Sequence, residues 1–198
     1  MSAAGPGIAS EDAEAVAAQL GRVPRGLQRV AHRCPCGLPD VVQTAPRLPD
    51  GTPFPTVYYL TCPRAAAAVS GLEAAGRMRE MTDRLADEQL KARYRRAHQD
   101  YLAHRAAAAA LAGVEPLPAG TQSAGGMPDR VKCLHALVAH ALVAGDVNPF
   151  GLDALDAIGP WWAAGPCVAA ERGPCVTAEP GPCADPEPGP RGPEEARP

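Results

Sequence analysis

Four cysteines and one histidine carry most of the chemistry open to this chain. Cys34 and Cys36 flank a single proline in "RCPCGLPD", Cys62 closes "YYLTCP", and Cys133 and His135 fall in "KCLH". Thiolate and imidazole together suit zinc, which takes four such ligands in structural sites and leaves one position open in catalytic ones. The expected metal set is Cys34, Cys36, Cys62 and Cys133, with His135 as the first substitute ligand and His32 or His140 behind it. Ligands drawn from three separate segments would also staple a core that is poor in aromatics. Against this, the usual zinc knuckle spaces its cysteines by two residues before a glycine, and "CPCG" is one residue short. Pro35 also fixes its own φ and pushes Cys34 towards extended backbone. Four thiolates could equally hold an iron–sulfur cluster. Zinc ranks first because both sulfur and nitrogen donors are on offer.

The same residues suggest a second chemistry. Pro63 fits the first position of a helix, which places Cys62 at a helix N-terminus, where the dipole would lower its pKa and favour a thiolate nucleophile. His135 would be its base and Lys132 an anion contact, a pair with no visible third member. A metal-free interaction module is the remaining alternative, and whether the chain is an enzyme stays open. If "MPDRVKCLHALVAHALVAG" is one helix opening at Pro128, Cys133 and His140 share a face about 10 Å apart along the axis, while Cys133 and His135 point to nearly opposite sides.

The elements that must position these groups follow from pattern and punctuation. "EDAEAVAAQL" after Ser10 reads as a short amphipathic helix with Ser10 as N-cap and Gly21 as its stop. "PDVVQTAP" and "PTVYYLTCP" read as two strands joined by the turn-rich "RLPDGTPFP". A helix from Pro63 runs towards Ala86 with a break near Gly71 or Gly76. Another spans about Asp87 to Ala112, with Leu90, Tyr94, Ala97, Tyr101 and Ala108 on one stripe. "DVNPFGLDALDAIGPWW" gives a turn and a further short helix. Phe54 in "GTPFPT", stiffened by two prolines, plugs the core or anchors a partner. The expected fold is α+β, mostly helical with a small two-stranded sheet, as one domain over residues 10–160 behind a flexible N-terminus at 1–9.

Composition narrows the function classes. The chain has 198 residues, 46% of them hydrophobic but only 4% aromatic, and a net charge of -3. That balance argues against a nucleic-acid binder, which carries a basic face and a high pI; the basic residues around Lys91 and Arg96 read as a solvated face. No basic leader with an apolar core opens the chain and no run of about 18 apolar residues occurs, so the expected location is the cytoplasm, with no membrane association. Seven cysteines in a reducing compartment read as ligands, redox thiols or buried apolar groups. Three of them, Cys167, Cys175 and Cys183, repeat as "GPC" every eight residues in a Pro/Gly-rich stretch. Residues 163–198 are therefore expected to be a disordered low-complexity tail whose thiols are passengers.

Three segments, "RCPCGLPDVVQTAPRLPDGTPFPTVYYLTCP", "LEAAGRMREM" and "GMPDRVKCLHALVAHALVAGDVNPFG", together resemble the actinobacterial domain of unknown function 501 family (DUF501). The resemblance covers about residues 20–155, and the combination of "GTPFPT", "LTCP" and "KCLH" is distinctive. The family has no established activity, so the resemblance implies kinship without a mechanism.

Overall fold

The computed structural model describes residues 8–118, 120 and 123–168. Six helices surround a small antiparallel sheet. In order these are α1 (Ser10–Leu20), β1 (Leu27–Arg33), β2 (Pro39–Thr44), β3 (Tyr58–Leu60), α2 (Pro63–Ala74), α3 (Arg77–Asp83), α4 (Glu88–Ala112), α5 (Leu134–Ala144) and α6 (Pro149–Ile158). The fold class is α+β and mostly helical, as the sequence implies. The sheet, however, has three strands in the order β1-β2-β3, not two. The strand missed from sequence, "LQRVAHR", hides its period because its register against β2 shifts at three places, and each shift breaks the alternation of inward and outward side chains. It is an edge strand carrying two arginines and a histidine, a composition that blunts edge pairing.

The "CPCG" spacing has a local cause. Gly37 N–H donates to the Cys34 carbonyl (2.8 Å) and Cys34 N–H to the Leu38 carbonyl (3.0 Å), so residues 34–37 form the turn of the β1–β2 hairpin. Pro35 takes the second turn position, and Gly37 follows at φ +89°, a conformation that costs glycine little.

α1 packs over this sheet end. Arg33 donates two hydrogen bonds to the Asp12 carboxylate (2.8 and 2.6 Å), and Gln19 Nε2 donates to the Pro39 carbonyl (2.7 Å). The α1 N-cap is Ala9, one residue earlier than expected, and it makes no side-chain cap bond. Phe54 stacks on Tyr59 at 5.4 Å, which fixes the "GTPFPT" loop onto β3.

The core lies between the sheet and the helices. α5, "LHALVAHALVA", is apolar nearly all round, and seven of its 11 residues are buried, as expected of a central helix. It meets Val41 and Tyr58 of the sheet, Tyr94 and Tyr101 of α4, and Phe150 and Ala154 of α6 in one buried cluster. α4 follows the expected stripe closely: Tyr94, Ala97, Tyr101 and Ala108 are buried, Asp87 caps its start by accepting from Leu90 N–H, and Gly113 ends it at φ +64°. The helix expected from Pro63 stops at Ala74 and resumes as α3 after Gly76, which takes φ +83°. α5 begins at Leu134 rather than Pro128. Gly125 and Gly126 both take positive φ, and Cys133 is extended (φ -150°, ψ 110°), so the helix cannot start earlier.

Of the expected tail, residues 163–168 are placed: Arg64 donates to the Gly165 carbonyl (2.7 Å) and Gln19 to the Cys167 sulfur (3.3 Å). Residues 169–198, with Cys175 and Cys183, lie outside the described residues, as do 1–7 of the expected flexible N-terminus. No helix among the described residues is long and apolar enough to cross a membrane.

Candidate metal centre

The late start of α5 brings its first residues to α2. Because Cys133 is extended rather than helical, it and His135 project to the same side instead of opposite ones. There they meet Glu73, near the C-terminal end of α2. One donor atom from each of Glu73, Cys133 and His135 lies within 4.8 Å of the others.

The local hydrogen bonds define this group. α5 has no capping side chain of its own, and Glu73 Oε1 accepts the Leu134 N–H at 2.6 Å, supplying a carboxylate to a helix N-terminus from another element. The same oxygen lies 3.2 Å from His135 Nδ1. On the other side of the ring, His135 Nε2 is 3.1 Å from the Ala66 carbonyl and 3.3 Å from the Ser70 hydroxyl. A backbone carbonyl only accepts, so Nε2 carries a proton. A neutral ring then turns its Nδ1 lone pair on the Glu73 carboxylate, and two acceptors face each other. A second proton or a cation resolves that conflict. Burial is the largest influence on the Cys133 thiol and pushes its pKa up, with the Glu73 charge adding in the same direction. The side chains of His135 and Glu73 remain 30% and 22% exposed, so solvent and ions reach them.

The other expected ligands lie elsewhere. Cys34 and Cys36 are the hairpin turn at one end of the sheet, where burial pushes the Cys34 thiol up to about 12. Cys62 is the N-cap of α2 and is buried (1% exposed). Its pKa is not lowered as expected: the amides of Ala65 and Arg64 do favour the thiolate, but burial outweighs them and pushes it up to about 11. His135 meets α2 further along, at Ala66, Ser70 and Glu73, and its hydrogen bonds go there rather than to Cys62. Among the described residues, no group of three or more donors within 4.8 Å contains two thiols. His32 is engaged with Asp40 at 2.7 Å.

A second convergence, which sequence reasoning passed over, joins Asp100 and His104 of α4 to His140 of α5. His140 is fully buried, with Nε2 2.9 Å from Asp100 Oδ2 and Nδ1 3.2 Å from Asn148 Nδ2. Asn148 is the N-cap of α6, and its Oδ1 accepts from Gly151 N–H. That bond fixes the amide, so its NH₂ donates to His140 Nδ1 and the ring proton must sit on Nε2, facing Asp100. A protonated Nε2 has no lone pair for a metal. His104 Nδ1 is 3.1 Å from the Tyr58 hydroxyl and 3.7 Å from Asp100. The group is a satisfied polar brace linking α4, α5, α6 and β3. Its sequence signal was the i, i+4 spacing of Asp100 and His104; that of Glu73 was a lone acid in the apolar run "VSGLEAAG".

No curated protein and no solved structure matches the chain. Residues 30–156, more than half of its length and including all of Glu73, Cys133 and His135, match the family described as "Protein of unknown function (DUF501)", and the chain belongs to that family.

Proposed function

We propose that this is a zinc-binding domain, with Glu73, Cys133 and His135 as ligands and the ion in a structural or regulatory role. The observation that carries this reading is the pairing around His135. Nε2–H is given to the Ala66 carbonyl, the outer hydrogen bond that commonly orients a metal-bound histidine, while Nδ1 faces a carboxylate 3.2 Å away. Two ligands about 2 Å from a tetrahedral zinc lie roughly 3.3 Å apart, so the pair already has the spacing of two ligands on one ion. Cys133 supplies the soft donor that favours zinc over calcium or magnesium. Three protein ligands leave a fourth position for water or a small ligand.

The arrangement supports an iron–sulfur cluster less well, because it offers one thiol with nitrogen and oxygen donors. It also supports a Cys133–His135 nucleophile pair less well. In such a pair one ring nitrogen faces the thiol, whereas here Nε2 is turned to the Ala66 carbonyl and Nδ1 to the Glu73 carboxylate.

The ion would tie the start of α5 to the end of α2, so its binding energy would add to folding. Chelator-treated full-length protein is expected to take up one zinc per chain and to melt at a higher temperature with it. Cobalt in its place is expected to show thiolate-to-metal absorption. Cys133→Ser should abolish that absorption, and Glu73→Gln should weaken zinc by about 10-fold to 100-fold while leaving the absorption detectable at saturating cobalt. Metal-free protein whose melting temperature ignores zinc, and which gives no cobalt–thiolate band, would sink the reading.

A further inference from the structure

The corner where α1, β2 and α2 meet holds a second pair of thiols. Gln19 Nε2 reaches both the Pro39 carbonyl (2.7 Å) and Cys167 Sγ (3.3 Å). Thr61 N–H donates to the Asp40 carbonyl (2.8 Å), continuing the β2–β3 ladder, so Cys62 lies beside Pro39 at this same sheet end. The segment after α6 is drawn in by Arg64, which donates to the Gly165 carbonyl (2.7 Å). Cys62 and Cys167 consequently lie close enough for charge on Cys167 to push the Cys62 pKa up, and both are free thiols.

We infer that Cys62 and Cys167 are a redox modification site, a dithiol that a small organic disulfide converts to an intramolecular disulfide. Their exposures assign the order of events. Cys167 is half-buried and within reach of a small molecule, whereas Cys62 is 1% exposed and can reach only its neighbour. Burial pushes the Cys62 pKa up and keeps it from making the first attack, which therefore falls to Cys167.

The Cys167 thiolate attacks one sulfur of the disulfide, forming a mixed disulfide and expelling one small thiolate. Cys62 then gives up its proton and attacks Cys167 Sγ, which breaks the mixed disulfide and expels the second thiolate. Two protein thiols are oxidised by two electrons, and the small disulfide is reduced to two thiols that take up the two protons. The bond pins the segment after α6 to the N-terminus of α2. Neither thiol belongs to the Glu73–Cys133–His135 group, so this site and the zinc reading stand or fall separately.

The test uses the full chain incubated with oxidised glutathione, then alkylated and digested with trypsin and chymotrypsin without reduction. The expected product is a Cys62–Cys167 cross-linked peptide about 2 Da lighter than the sum of its reduced parts, with a melting temperature raised over the reduced protein. In Cys167→Ser, Cys62 should stay reduced and the same treatment should leave melting unchanged. Three results would overturn the inference: a glutathione adduct that persists on Cys167 while Cys62 remains free, pairing of either residue with another cysteine, or no reaction at Cys167 under conditions that oxidise a control dithiol.

Discussion

At the scale of single residues, neighbours decide what each polar group does. Tyr101 illustrates this. It is an apolar-stripe residue of α4, yet its hydroxyl accepts the Val57 N–H at 2.7 Å in a fully buried position. Tyr101→Phe should cost about 1–3 kcal/mol in a denaturant titration, because it orphans a buried amide while leaving the packing intact. His140 gives a pH signature. Burial lowers its pKa below the ordinary 6.5 even though the Asp100 carboxylate pulls the other way. The unfolded chain therefore binds a proton that the folded one refuses. The contribution is fully present above the unfolded value and is lost as pH falls through the folded one. Unfolding free energy should accordingly drop between about pH 7 and pH 5. Nitrogen-detected NMR should find His140 neutral, with its proton on Nε2, at a pH where exposed histidines have charged.

At the scale of elements, the α5–α6 contact sets the tightest constraint. A Cβ on Gly151 would lie 2.3 Å from the Leu137 carbonyl oxygen and 2.7 Å from Ala141 Cβ, and backbone cannot swing away as a flexible side chain can. Gly151→Ala should lose about 3 kcal/mol through overpacking. Gly71 in α2 offers the contrast, with open space around its Cβ position and no left-handed backbone. There the alanine variant should gain about 0.5–1 kcal/mol from helix propensity alone. Measured side by side, the two variants separate close helix approach from intrinsic preference. The same close approach positions Asn148, whose capping of α6 is what orients His140.

At the scale of the whole molecule, the family match ends at residue 156, yet residues 165–167 beyond α6 fold back onto the corner of α1, α2 and the Pro39 end of the sheet. A chain ending at Pro160 loses the Arg64–Gly165 and Gln19–Cys167 hydrogen bonds. It should be less stable by about 2 kcal/mol, a fall of roughly 5 °C in melting temperature. The expectation that residues 163–198 are a disordered tail with passenger thiols treated the repeat "GPC" as uniform. Its first copy differs because Gln19 and Arg64 supply partners for it, and those partners lie over 90 residues away in sequence.

By itself, the sequence determined what acts within a turn or two of chain. The α4 stripe with Asp87 and Gly113 at its ends, Pro63 opening α2, and the β-branched and aromatic runs that mark β2 and β3 all follow from period, capping and residue type, which are local. It also singled out Cys133 and His135 as groups able to do chemistry. Only the tertiary structure decided their company. Cys133 is extended because of a Gly-Gly turn and the cap supplied by Glu73, so it faces the same way as His135 rather than opposite. Cys62 sits where its helix would lower its pKa, and burial among residues distant in sequence raises it instead. Strand β1 escaped detection because register shifts erase the alternation that marks a strand. Convergence between segments depends on how faces pack, and no spacing along one segment encodes that.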